Sequence, residues 1–193
     1  MAKLPIYLYG NEILKKKTKP VADVTNADIK LIQDMFDTMS EHGIGLAANQ
    51  VGVAKQILVV DVSGTEAGEG TKPLVVINPE VIEEEDEWEF EEGCLSIPDV
   101  REKVWRAEKI RLRYNDVNMK VKEIDADGIL ARVLLHEIDH LNGILFIDHI
   151  SATKRSLLRG KLRKIQNGEV DADYEVYAAE KVKPKSKSVK SKK

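Results

Sequence analysis

The chain has 193 residues, 42% of them hydrophobic and 33% charged, with a formal net charge of −3. That balance suits one soluble globular domain with a sizeable core. Apolar runs such as Ile57 to Val60 and Leu74 to Ile77 fall far short of the roughly 18 residues of a membrane span, and MAKLPIYLYG has no signal-peptide core, so a cytoplasmic protein with no membrane partner is expected. The single cysteine, Cys94, excludes an intrachain disulfide and is either an inert buried thiol or one with chemical work to do.

Taken in chain order, Thr25 to Asp28 reads as a capping box. Ile32, Met35, Phe36 and Met39 then recur at i, i+3, i+4, i+7, predicting a helix from about Asn26 to His42. QILVVDV (56–62), PLVVINP (73–79), KIRLRY (109–114) and MKVKEI (119–124) predict strands, the last two joined as a hairpin through Asn115 to Asn118. The glycine-rich SGTEAGEGTK (63–72) predicts a connecting loop. From Asp127 the period becomes helical: Leu130, Val133, Leu134, Ile138 and Leu141 form an apolar stripe, and Asn142-Gly143 supplies a stop. A last helix is expected after a Ser151 cap, with Leu157, Leu158, Leu162 and Ile165 on its apolar side. Seven lysines without an acid in KVKPKSKSVKSKK (181–193) predict a disordered basic tail, either solubilising or weakly attached to a polyanion such as RNA.

GIGLAA (43–48) satisfies the loose dinucleotide fingerprint, but that motif needs a strand before it and a helix after it. Here a predicted helix precedes it and a strand follows, so nucleotide binding is set aside. HEIDH (136–140) carries more chemistry. Residues four apart share a helical face, so His136 and His140 can aim two imidazoles at one ion, with Glu137 one step round. A catalytic site needs a third protein ligand. The longer pattern HExxHxxGxxH matches through Gly143 but meets Phe146 where its third histidine belongs. His149 lies past the helix stop and His42 sits in no ligand spacing. Cys94, in the small-residue context EGCLS, is the better candidate because thiolates bind zinc and ferrous iron strongly; spacing alone leaves the choice open.

Three segments in order, GIGLAANQ (43–50), EGCLS (92–96) and HEIDH (136–140), together resemble the peptide deformylase family, from about Leu4 to Ile165. The resemblance implies an α+β domain over residues 1–180, its antiparallel sheets packed around a central HExxH metal-binding helix, with the basic tail at 181–193 outside it. It implies removal of the formyl group from the N-terminal formylmethionine of nascent polypeptides, with release of formate. By the same resemblance Cys94, His136 and His140 hold one divalent ion, Fe2+ physiologically and Zn2+ or Ni2+ in purified material. Glu137 is then the general base, and the Gln50 side chain and Leu95 N–H are oxyanion donors. Ile44 helps line an apolar pocket for methionine, Gly45 and Gly93 pair with the extended peptide, and Arg101, with Arg106 as a weaker candidate, contacts substrate. Two positions depart from the family pattern: Leu135, where glutamine is usual, and Arg132, which is expected to alter the pocket mouth. The ribosome near its exit tunnel is the expected partner of the last helix and tail, without sequence-specific nucleic-acid binding. Two alternatives stand beside this reading: an HExxH metallopeptidase, and a catalytically silent ribosome-associated module that would need none of Glu137, Gln50 or Cys94.

Overall fold

The computed structural model describes residues 3–179, so the predicted tail from Lys181 lies outside the described residues. In chain order the elements are β1 (Ile6–Tyr7), α1 (Asn26–Met39), β2 (Gly45–Ala47), β3 (Ile57–Val60), β4 (Leu74–Glu85), β5 (Trp88–Cys94), β6 (Ile97–Arg106), β7 (Lys109–Asn115), β8 (Val121–Asp127), α2 (Gly128–Leu141), α3 (Ala152–Gln166) and β9 (Val176–Tyr177). A five-stranded antiparallel sheet runs β2-β3-β4-β7-β8, and β5 and β6 form a separate antiparallel hairpin. The α+β class agrees with expectation. The ladder between β1 and β9 is parallel, which departs from an all-antiparallel arrangement and brings the last described segment against the first strand.

Two-sided burial of β3 organises the core. Side chains alternate across a strand, so Leu58 and Val60 face the cluster that holds Ala131, Leu134 and Leu141 of α2, while Ile57 and Val59 face Ile32, Met35 and Met39 of α1. Each such aliphatic side chain taken from water contributes roughly 1.5–3 kcal/mol. A third cluster gathers Leu8, Ile97, Phe146, Leu162 and Ile165, fixing α3 against the β6 end of the hairpin.

The capping box of α1 forms as expected: Asp28 N–H donates to Thr25 Oγ1 at 3.3 Å and Thr25 N–H to Asp28 Oδ2 at 3.1 Å. The helix ends at Met39, three residues before the expected His42, because the N–H groups of His42 and Gly43 both turn back onto the Met39 carbonyl. Strand β4 continues well past Pro79. Asn78 adopts a φ of 51° and exchanges two 2.8 Å bonds with the Val21 backbone, making a bulge that tolerates the missing proline donor. Strand β8 starts at Val121 instead of Met119, since Met119 has a φ of 57° in a turn closed by the Asp116 carboxylate, which accepts from Asn118 and Lys120 N–H. Leu157 of α3 is 82% exposed, against the expectation that it lies on the packed side.

Candidate metal centre

Cys94 ends β5, while His136 and His140 stand one turn apart on α2. Their donor atoms all lie within 4.8 Å of one another, and Cys94 Sγ is 3.2 Å from His140 Nε2. Of the candidates that spacing left open, Cys94 is the one that the fold brings to the two histidines. His149 instead contacts Asp139 Oδ2 at 2.7 Å, and His42 lies near Asp173. The fit to a metal ion is set by the surroundings as well as the donors. Glu92 Oε2 accepts from His136 Nδ1 at 2.9 Å, which fixes the ring and leaves Nε2 for coordination. Burial alone would lower the His136 pKa, but the Cys94 thiol and the Glu92 carboxylate draw it up to about 10. His140 is pushed well below the ordinary histidine value by burial and by the His136 charge. An anionic surround of this kind holds a cation, and a divalent ion among two imidazoles and one thiolate satisfies it in place of the proton.

Glu92 is itself clamped. Arg106 donates through Nε to Oε1 at 2.6 Å and through Nη2 to Oε2 at 3.1 Å, and Arg132 Nη1 reaches Oε1 at 2.9 Å. Burial would raise its pKa, yet the bonds from His136 and Arg106 hold it well below the usual carboxylate range. Arg106 continues to Asp139 at 2.6 Å. These contacts correct two expectations. Arg106 is buried and committed to Glu92 and Asp139, so it does not reach substrate. Arg132 is also buried, at 2% exposure, bonded to Glu92, Val104 O and Trp88 O with its guanidinium over the Trp88 ring; it braces the pocket's inner wall instead of its mouth. Leu135 packs partly buried against the α2 core cluster and makes no polar contact with the site.

Glu137 lies beside the donors, 3% exposed, with Oε2 lacking a hydrogen-bond partner. Burial raises its pKa to about 7, opposed by the His136 charge. Gly45 of β2 is required by this carboxylate: a Cβ there would come within 2.6 Å of both Glu137 Oε1 and Val133 Cγ1. Gly93 differs, since a Cβ would meet Arg101 Cγ only at 3.5 Å, so packing does not demand it and the small residue leaves the pocket wall open. Gln50 is buried and its amide is oriented. Oε1 accepts from Ala47 N–H at 2.8 Å, which turns Nε2 towards Cys94 Sγ and Ser96 Oγ, each at 3.4 Å.

These side chains meet in one pocket of about 490 Å³, lined by Ile44, Gly45, Gln50, Gly93, Cys94, Leu95, Arg101, His136 and Glu137 among others. Apolar Ile44, Phe90, Ile129 and Val133 share it, while Arg101 is exposed near Glu91 at the rim. Sequence reading gave no role to Glu92, Asp139, Asn49 or Tyr174. For Glu92 a signal exists: it stands two residues before Cys94 in a strand, on the same face. Asn49 Nδ2 donates to the His140 carbonyl at 2.5 Å, a contact that only the fold reveals.

The chain matches the family described as Polypeptide deformylase over residues 3–156. It is 52% identical over 180 residues to a peptide deformylase of Salinibacter ruber, covering 89% of this chain and 92% of that protein. A second relative, from Cytophaga hutchinsonii, is 46% identical over 175 residues, with 88% and 94% covered. Among solved structures, a peptide deformylase from Legionella pneumophila superposes with a TM-score of 0.78 at 42% identity, covering 87% of this chain and 98% of that one. The Ehrlichia chaffeensis enzyme in complex with actinonin gives 0.78 at 37% identity, with 89% and 100% covered.

Proposed function

Because the chain belongs to the polypeptide deformylase family, we infer that it is a metal-dependent hydrolase that removes the formyl group from N-terminal formylmethionine and releases formate. The observation that carries this reading is the convergence of Glu137 and Gln50 on the cluster of Cys94, His136 and His140, with Gln50, Cys94, His136 and Glu137 lining one pocket. We take residues 1–180 as the catalytic unit, with the tail at 181–193 outside it.

Cys94 Sγ and the two imidazoles would hold a divalent ion, which when bound would supply Lewis acidity and lower the pKa of water towards neutrality. Glu137, its pKa already near 7, takes a proton from the attacking water and later delivers it to the amine nitrogen as the C–N bond breaks. The oriented Gln50 amide and the Leu95 N–H donate to the oxygen that gains negative charge. Ile44, Phe90, Ile129 and Val133 offer an apolar cavity for the methionine side chain. The backbones at Gly45 and Gly93 suit an extended peptide running across the site, and Arg101 at the rim suits its downstream part.

Two imidazoles and one thiolate accept zinc, nickel or ferrous iron, and we propose Fe2+ as the physiological ion. Incubation of protein purified without oxygen with a formyl-Met peptide and its unformylated twin tests activity and metal together. Formate from the first peptide alone is expected, with turnover of the iron form lost after exposure to air as the Cys94 site oxidises. Cleavage of the unformylated twin would replace this reading with a metallopeptidase, and air-stable activity would rule out iron.

We also propose that the protein works in the cytoplasm, on chains leaving the ribosome; among the described residues no helix is long and apolar enough to cross a membrane. Helix α3 carries Lys154, Arg155, Arg159, Lys161, Arg163 and Lys164 without an acid, a charge pattern suited to a polyanionic surface. Changing Arg159, Arg163 and Lys164 to glutamate is expected to weaken ribosome co-sedimentation and its salt dependence, with turnover of free peptide retained. Unchanged, salt-independent binding would end the proposal.

A further inference from the structure

The turn joining β5 to β6 consists of two residues, Leu95 and Ser96, between the paired Cys94 and Ile97. Two-residue hairpin loops favour a positive φ at one or both central positions, because only those turns twist with the strands. Neither Leu95 nor Ser96 has one. The turn thus lacks the conformation that would support it internally, and its two carbonyls are held from outside. Tyr9 N–H donates to Ser96 O at 2.8 Å, and the Tyr174 hydroxyl donates to Leu95 O at 2.8 Å.

Tyr174 arrives from a distant part of the chain. It lies between α3 and β9, and β9 docks in parallel on β1 through Ile6↔Val176 and Tyr7↔Tyr177, the same strand that leads to Tyr9. Its ring sits 5.1 Å from that of His42, and both residues line the pocket. Burial keeps the phenol protonated, as a donor must be, and the Cys94 charge acts in the same direction. The hydroxyl therefore clamps the turn that immediately follows Cys94 and carries the Leu95 N–H.

We propose that Tyr174 is a positioning residue of the deformylase reaction, its hydroxyl fixing the Leu95 carbonyl so that the Leu95 N–H is held ready for the developing oxyanion. The inference rests on the assignment of that N–H as an oxyanion donor. Its consequence is selective: a loosened donor weakens stabilisation of the transition state more than binding of the ground-state peptide.

Tyr174→Phe removes the hydroxyl and keeps the ring. With metal content matched to wild type, kcat on a formyl-Met peptide is expected to fall about 10-fold, while KM stays within roughly twofold. Tyr177→Ala serves as the comparison, because it removes the ring tilted against Tyr7 at 4.5 Å without touching the Leu95 carbonyl, and is expected to retain kcat. Full kcat in Tyr174→Phe, a change confined to KM, or an equal loss in Tyr177→Ala would overturn the proposal. A wild-type protein that releases no formate would overturn the underlying assignment instead.

Discussion

Glu137→Ala is expected to retain its metal and lose formate release, with kcat lower by on the order of 1,000-fold, within the usual range for a general acid–base residue. The carboxylate is not among the three clustered donors, so ion content measured by elemental analysis should match wild type. Stability should move the other way from activity. The side chain is buried with Oε2 unpartnered, and burial raises its folded pKa to about 7, above the usual carboxylate range. A carboxylate raised in this way destabilises the metal-free fold at pH values above the unfolded pKa, because the charged form is preferred in the unfolded chain. Glu137→Gln keeps the shape against Gly45 and should melt no earlier than wild type in the metal-free state. A variant that kept more than a tenth of wild-type kcat would remove Glu137 from the role of base.

Glu92→Ala should produce the largest loss of stability of any single change near the site. It strands Arg106 and Arg132, exposed by only 7% and 2%, without the carboxylate that both engage. Breaking a buried pair on one side costs roughly 3–5 kcal/mol, which for a chain of this size lowers the melting temperature by roughly 6–20 °C. Because Glu92 also fixes the His136 ring, metal affinity should drop by about 10- to 100-fold. The same group sets the response to acid. Its folded pKa is depressed from 4.5, so its stabilisation is fully present above that value and is lost as pH falls towards the folded pKa. Asp139, held low against its burial by His149 and Arg106, adds to the loss in the same direction. Unfolding of Glu92→Ala followed against pH should show a shallower acid limb than wild type. A melting temperature within 2–3 °C of wild type would mean that the two guanidinium groups find other partners.

Motifs with strong local chemistry were legible in the sequence, and groups joined only by the fold were not. The capping box of α1, the alternation of β7 and the stripe of α2 each express a period or a local hydrogen bond, and all appear in the structure. The hairpin of β5 and β6 was missed because WEFEEGC shows no clean alternation: Glu92 points inward as an ion-pair partner, while Phe90 is 40% exposed. Strand β6 hides its pattern behind Pro98 and Asp99, the latter at a φ of 59°. The histidine pair was legible from its spacing and Cys94 was favoured by thiolate chemistry, but the resemblance was needed to complete the set, since Cys94 and His136 lie on different elements with nothing local to connect them. Arg106 was read as a weaker substrate contact and Arg132 as a pocket-mouth charge for the same reason: their shared partner Glu92 stands 14 and 40 residues away in sequence.

The two-sided burial of β3 also bears on how the centre comes into being during synthesis. The N-terminal half, α1 with β2, β3 and β4, contains both sides of its own interface, so Ile57 and Val59 can be covered early. Leu58 and Val60 wait for α2, which emerges some 70 residues later and carries both histidines as it closes over them. Completion of the apolar core and assembly of the ligand set are therefore one event, and an incompletely folded chain presents Cys94 without its imidazole partners, as a bare thiol open to oxidation.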